Sequence, residues 1–331
     1  MPLVSVIIPA YNAAPTIQET VKSVLKQSFQ DFELIVVNDG STDETSQILD
    51  CIPDPRLKVF SYPNAGAAVS RNRGFAQATG ELIAFLDADD LWTPEKLEAQ
   101  WTALKENPQA QVAYSWADII DQSGHRLGQG DYTVANGNVY AKLLLCCFII
   151  SGSNPLIRRE AYIAVGGFDE SLAACQDFDL YLRLAARYHF VSVAAVHVLY
   201  RFSPNSMFTN IRRMEKTNLA VRERAFDQAP EPLSRALKRH SIANFYKCVL
   251  FRIMTEPPSK KRGLEIAWFL LNAIQYDPDL IRRRVVLRIL INILMSTILP
   301  PDYAKFLLTK VKGLANNYAL LGYVRVDSEN L

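Results

Sequence analysis

The chain opens on an apolar run, Leu3–Ile8, rich in β-branched residues and stopped by Pro9. Such a run reads as a strand buried on both faces. Pro15 then precedes Ile17, Val21, Val24 and Leu25, which recur at helical spacing and predict an amphipathic helix. Phe32–Val37 reads as a second buried strand, and Ser41 with Glu44 has the spacing of a capping box that opens a second helix. The alternation continues with a strand at Leu57–Phe60, a helix at Ala67–Ala78 closed by Gly80, and a fourth strand at Leu82–Leu86. Thr93 and Pro94 then start a helix carrying Leu97, Trp101 and Leu104, and Val112–Trp116 reads as a fifth strand. Strands alternating with helices of this length predict βαβ units, an α/β fold and a mainly parallel, Rossmann-like sheet with flanking helices.

Beyond residue 116 the pattern loosens. Asp121–Gly137 reads as a loop or hairpin, Ala161–Val165 as a short helix ended by Gly166 and Gly167, and Phe178–Ala186 as a clear helix. Val191–Val193 and Val196–Phe202 read as late strands. From Ile211 the periodicity is helical, so the chain divides into an α/β domain over residues 1–210 and an α-helical C-terminal region over 211–331. Within the latter, Val285–Leu299 is strongly apolar and directly follows Arg282, Arg283 and Arg284. It is shorter than the roughly 20 residues a spanning helix needs. Two readings stand: an interfacial amphipathic helix anchored by basic residues, or an ordinary buried helix, which is preferred.

Composition sharpens this division. Residues 1–200 hold 14 Lys+Arg against 23 Asp+Glu, whereas residues 201–331 hold 22 against 11. An acidic front half suits a metal site and argues against nucleic-acid binding there. A basic back half suits either a solvated helical surface or peripheral contact with an anionic membrane face. The five cysteines, without a CxxC pair, argue against a disulfide framework or a zinc site and fit a reducing, cytoplasmic setting. Met1 runs directly into a strand, so no secretory leader is expected.

In parallel sheets, ligands bind beyond the carboxyl ends of the strands. Polar residues gather there in this chain: Asn12 after the first strand, Asp39 after the second, Asn64 after the third, and Asp87, Asp89 and Asp90 after the fourth. In extended chain, residues i and i+2 point the same way, so Asp87 and Asp89 can converge on one hard cation, Mg²⁺ or Mn²⁺. Such a cation would bridge the phosphates of a nucleotide sugar. Capping alone accounts for Ser41 and Asp43, but not for Asp39, which is read as a nucleotide contact. Gly66 permits a tight turn before a helix, Arg71 is suited to a phosphate, and Gly74 suits close helix packing. Asp177 opens a helix. It has the chemistry of a general base for an attacking hydroxyl, or of a simple N-cap.

Taken in order, Pro9-Ala10-Tyr11-Asn12, Val36-Val37-Asn38-Asp39-Gly40-Ser41-Thr42-Asp43, Asn64-Ala65-Gly66 with Ser70-Arg71-Asn72, Phe85-Leu86-Asp87-Ala88-Asp89-Asp90, Gly166-Gly167-Phe168-Asp169-Glu170 and Gln176-Asp177-Phe178-Asp179-Leu180 closely resemble the family 2 glycosyltransferases. The resemblance spans about residues 3–207. It implies a GT-A fold, an inverting mechanism, a nucleotide-diphosphate sugar donor (a UDP-sugar foremost) and a glycan or lipid-linked acceptor. By that resemblance Pro9, Ala10 and Tyr11 line the base pocket and Asp39 contacts the base. Asn12, Asn64, Gly66, Arg71, Asp87 and Ala88 serve the rest of the donor, Asp89 ligates the divalent cation, and Asp177 is the catalytic base. Two positions depart from the family pattern. Gln176 stands where the family usually has Glu, and Arg201-Phe202-Ser203 where it often has Arg-x-His, which puts metal dependence and donor affinity in question. The alternative is a catalytically impaired nucleotide-sugar-binding module. The Gln-x-x-Arg-Trp signature of processive synthases does not occur, which predicts addition of one or a few sugars. No GxSxG, HExxH, GxGxxG or Walker pattern occurs.

Overall fold

The computed structural model describes residues 1–202, 211–255 and 257–310, together with Leu320 and Val324. The chain divides into two compact units, one formed by residues 1–140 and 147–230 and the other by 141–146 with the described part of 231–331.

The first unit is built on a mixed sheet. Strands β1 (Val4–Ala10), β2 (Phe32–Asn38), β3 (Leu57–Ser61) and β4 (Leu82–Phe85) pair in parallel in the order β3-β2-β1-β4, as the alternating pattern predicts. The helices between them are α1 (Ile17–Leu25), α2 (Thr45–Asp50) and α3 (Ala67–Gln77). Every residue of β2 is buried, and all of β1 except Pro9, as expected of strands covered on both faces. Gly74 is where α3 meets the sheet, since a Cβ there would lie 2.4 Å from Ile7 Cγ2.

Past β4 the sheet becomes mixed. β5 (Leu91–Trp92), α4 (Lys96–Glu106), β6 (Ala110–Ile120), β7 (Arg126–Gln129), α5 (Tyr140–Leu145), β8 (Leu156–Arg158), α6 (Arg159–Ala164), α7 (Gln176–Ala185) and β9 (His189–Arg201) follow. The order continues β4-β8-β6-β9-β5, with β8 antiparallel to both β4 and β6, and β7 a hairpin partner of β6. The two short late strands expected near residues 191–202 are one strand, β9, whose pairing with β6 shifts register between Ser115 and Ala117. β5 and β8 were not legible because two or three residues carry no periodicity.

The capping box expected at Ser41 and Glu44 does not form. Ser41 Oγ instead accepts the Asn12 N–H (3.0 Å), and Asp43 takes the Thr45 N–H (3.1 Å). Helix α8 (Ile211–Asp227) completes the first unit, with Arg224 paired to both Asp169 and Asp179. The second unit is helical: α9 (Arg235–Met254), α10 (Lys260–Tyr276), a 3-10 turn (Pro278–Arg282), α11 (Arg284–Ile298) and α12 (Pro301–Lys310). Among the described residues no helix is long and apolar enough to cross a membrane.

One buried carboxylate staples the first strands together. Glu33, only 4% exposed, accepts hydrogen bonds from Ser5 Oγ, from the Thr79 N–H and hydroxyl (2.7 Å each), and from Lys58 Nζ (2.8 Å). Burial pushes its carboxyl upward, but the Lys58 ammonium and the other donors prevail and hold it down at about 2. A pKa depressed on folding stabilises above the unfolded value and loses that contribution as pH falls through the folded one. Glu33→Gln is therefore expected to cost about 3 kcal/mol at neutral pH and little near pH 2. Urea unfolding across that range checks it; an equal loss at both ends would contradict it.

Candidate functional site

The site is assembled where the parallel strands end. The loop after β1 is fastened to the loop after β2. Asn12, in the left-handed region at φ 48°, uses its side-chain oxygen to accept the Thr42 N–H (2.8 Å). The Ala13 N–H reaches Thr45 Oγ1 (2.8 Å) and the Ala14 N–H reaches Asp43 Oδ2 (3.0 Å). These bonds leave Tyr11 standing outward, 53% exposed, over the buried Ala10, with Pro9 half-buried.

Asp39 is buried beneath this pair of loops. Its N–H donates to the Ala10 carbonyl (2.8 Å), and its carbonyl accepts from Asn64 Nδ2 (3.0 Å). Its two carboxylate oxygens accept the Ala65 and Gly66 N–H groups (3.0 and 2.8 Å). Asp39 thus fixes the turn that leads into α3; Arg73 Nη1 stands 3.6 Å from its Oδ1, and Oδ2 keeps a further lone pair. Of the residues expected around a nucleoside, Ala10, Asn64 and Gly66 are thus bonded to Asp39, and Asn12 is bonded to the loop that follows it, with Pro9 and Tyr11 flanking Ala10 in the chain.

Helix α3 carries that arrangement across to the acidic turn. Arg71, one turn into the helix and 5% exposed, donates to Asp87 Oδ1 (2.5 Å) and to Gln176 Oε1 (3.2 Å), and its guanidinium lies 5.0 Å from the centre of the Phe168 ring. Its partners are thus a carboxylate and an amide, Gln176 accepting the guanidinium through its side-chain carbonyl. Asp177 follows it in the first turn of α7. The N-cap position of that helix is Cys175, which makes no side-chain capping bond, and Asp177 Oδ1 accepts the Phe178 N–H (2.8 Å) in the first turn, so its carboxylate also does the local work of a cap. Burial pushes the Asp177 carboxyl up; the Arg71 guanidinium draws it down and the Asp87 charge raises it again.

The acidic turn itself is tightly held. The Ala88 carbonyl accepts the Thr16 and Thr20 hydroxyls (2.8 and 3.0 Å). Asp90, fully buried, accepts Ser153 Oγ (2.5 Å) and the Arg201 N–H (2.8 Å), and burial with the Asp89 and Asp87 charges keeps its carboxyl well above the usual range. The Arg201 guanidinium spans the Asp89, Asp121 and Gln122 carbonyls and Glu19. Sequence reasoning did not assign roles to Asp90, Ser153 or Arg201. Only the strand-end position of Asp90 could have drawn attention to it, since Ser153 and Arg201 reach it from distant segments. Ser203, next in that last motif, lies outside the described residues.

Asp87 and Asp89 are the two half-buried carboxylates that this scaffold holds at the strand end. Burial first, then the Asp87 charge, pushes the Asp89 carboxyl up to about 6. Adjacent carboxylates strained in this way are suited to a hard divalent cation, which takes one or two protein oxygens and fills its shell from phosphate and water. Among the described residues no group of three or more His, Cys, Asp or Glu side chains is arranged to hold a metal ion.

Comparison with known proteins fits this geometry. The family model described as glycosyltransferase like family 2 matches residues 5–229. An uncharacterized glycosyltransferase of Rickettsia bellii is 34% identical over 189 residues, covering 56% of this chain and 26% of the relative. A chondroitin synthase of Pasteurella multocida is 26% identical over 250 residues, covering 74% of this chain and 24% of the relative. The chain thus spans about a quarter of each of these two relatives. Among solved structures, S. aureus TarS 1-349 in complex with UDP-GlcNAc superposes with a TM-score of 0.57 at 19% identity, covering 82% of this chain and 88% of that one. That likeness identifies the GT-A fold. With its family model matched over most of the α/β unit, this chain belongs to glycosyltransferase-like family 2.

Proposed function

We propose that the protein transfers a sugar, with inversion, from a nucleotide-diphosphate donor to a hydroxyl of a glycan or lipid-linked acceptor. The observation that carries this reading is the reach of Arg71. One buried guanidinium joins Asp87 at the end of β4 to Gln176, the neighbour of Asp177. The group suited to the departing diphosphate and the group suited to the attacking hydroxyl are thereby held at one guanidinium. The TarS structure holds UDP-GlcNAc, which supports a UDP-sugar as donor. The chondroitin synthase relative supports glycan synthesis as the setting.

In this reading Pro9, Ala10 and Tyr11 receive the base, and Asp39 takes a donor group of the base through the lone pair left on Oδ2. Asn12, Asn64 and Gly66 shape the wall beside the ribose. Asp87 and Ala88 line the path of the phosphates, and Asp89 holds Mg²⁺ or Mn²⁺. That cation, when bound, offsets the negative charge that grows on the leaving diphosphate. Asp177 accepts the proton of the acceptor hydroxyl as it attacks the anomeric carbon from the opposite side. Inversion follows from a single in-line displacement through an oxocarbenium-like transition state. Arg71 neutralises Asp87 and keeps Asp177 ionisable despite its burial. Residues 1–210 carry the chemistry, buttressed by α8 through Arg224. In this reading the enzyme adds one or a few sugars and works in the cytoplasm or at the inner face of a membrane.

Asp177→Asn is expected to lower kcat by about 10²–10⁴-fold while leaving UDP affinity unchanged. A labelled UDP-sugar transfer assay, paired with calorimetry, checks both; full activity in the variant would exclude Asp177 as the base. Asp89→Ala is expected to remove the Mn²⁺ dependence of UDP binding, and unchanged Mn²⁺-dependent affinity would count against its role as ligand. A general base must be ionised, and burial raises Asp177 above the ordinary carboxylate value of 3.8. The rate should therefore fall on the acid side of a limb that lies above pH 3.8. A pH–rate profile flat down to that value would contradict the assignment.

A further inference from the structure

The second compact unit presents an unusual helix. On α11 the buried face includes Asn292 and Ser296, whereas Leu287, Leu290, Leu294 and Ile298 are between 50% and 69% exposed. These four recur at i, i+3, i+7 and i+11, so they form one stripe along the helix. Val285, Val286 and Ile289 share that buried face, so the helix is aliphatic on both sides and the leucine stripe is a second apolar face turned outward. Scattered exposed leucines need no explanation, but a continuous stripe does.

The neighbouring helix repeats the feature. Leu264, Trp268 and Leu271 of α10 are also exposed, at i, i+4 and i+7. The start of α10 lies against the end of α11, where a Cβ on Gly263 would come within 2.6 Å of Thr297 Cγ2. The two helices therefore run in opposite directions in close contact. Tyr303 and Phe306 of α12 add exposed aromatic surface next to α11 in sequence.

The exposed charge clusters at the ends of this surface are basic, with Asp279 and Asp302 as single exposed acidic residues nearby. Arg282, Arg283 and Arg284 stand exposed at the start of α11, and Lys260 and Lys261 at the start of α10, which is the opposite end of the antiparallel pair. Neither helix has an acidic residue in its first turn. Cations at a helix N-terminus oppose the helix dipole, so their placement works against the fold. An external anionic partner reverses that balance.

We propose that the exposed face of α10 and α11 docks on a membrane surface bearing anionic lipid, the leucines and Trp268 entering the headgroup boundary and the arginines and lysines meeting lipid phosphates. This combination of an apolar stripe and basic flanks is the physical signature of interfacial helices. A second copy of the chain is a poorer occupant. Every cluster flanking the stripe is basic, so self-association would set like charges against each other. This proposal is independent of the glycosyl-transfer reading and places the second unit, rather than the site, at the lipid.

Flotation of the full chain with vesicles tests it without donor or metal, so its outcome does not depend on catalysis. The wild-type protein is expected to float with vesicles of phosphatidylcholine and phosphatidylglycerol, and far less with phosphatidylcholine alone. Leu290→Glu combined with Leu294→Glu should weaken binding by about tenfold per residue. Changing Arg282, Arg283 and Arg284 to Gln should remove most of the preference for the anionic vesicles, on the order of a hundredfold. Circular dichroism and thermal melting confirm that both variants fold. Wild-type protein that does not float, or a leucine pair variant that floats equally well, would overturn the proposal. So would a dimer in sedimentation velocity that the leucine pair variant abolishes while flotation is unchanged.

Discussion

The catalytic unit depends on one buried cation. Arg71 reaches from the second turn of α3 to the end of β4 and to the start of α7, and it is almost wholly withdrawn from water. Burying a guanidinium is costly unless a carboxylate and good hydrogen bonds accompany it. Asp87 supplies the charge, Gln176 a neutral oxygen, and the Phe168 ring a π face. The neutral partner matters, because a second carboxylate at position 176 would add negative charge beside Asp177. With Gln176 in place, more of the Arg71 field remains for Asp87 and Asp177.

The same logic explains why so many polar groups behind the acidic turn are bonded to one another. A loop carrying three aspartates repels itself, and each aspartate would otherwise swing toward solvent. Thr16, Thr20, Ser153 and Arg201 bind the turn mainly through its backbone carbonyls and through Asp90. That leaves the Asp87 and Asp89 carboxylates clustered and partly desolvated, which raises Asp89 and prepares it for a counter-ion. The fold thus fixes the backbone, pairs Asp87 with Arg71 and leaves the Asp89 carboxyl raised beside that pair.

The parallel half of the sheet was legible because β1, β2 and β4 are nearly continuous apolar runs ended by Pro, Asn or Asp. Their strand ends located the polar residues from Asn12 to Asp89 without further information. The antiparallel half was not, since β5 and β8 are too short to show a period and are held by partners distant in sequence. The contacts of Asp90 with Ser153 and Arg201 were hidden for the same reason. The helix at Val285–Leu299 was legible as a helix, but the preference for burial captured only one of its faces. Its buried Asn292 and Ser296 could not be told from exposed ones by periodicity, because both sides of the helix are rich in aliphatic residues.

We propose that the strand-end carboxylates and Arg71 converge around one cation-bound diphosphate. Electron–nuclear double resonance on the Mn²⁺-loaded protein tests it most directly. Adding UDP is expected to produce phosphorus hyperfine coupling on the protein-bound Mn²⁺. UDP that binds without any phosphorus coupling would contradict the account.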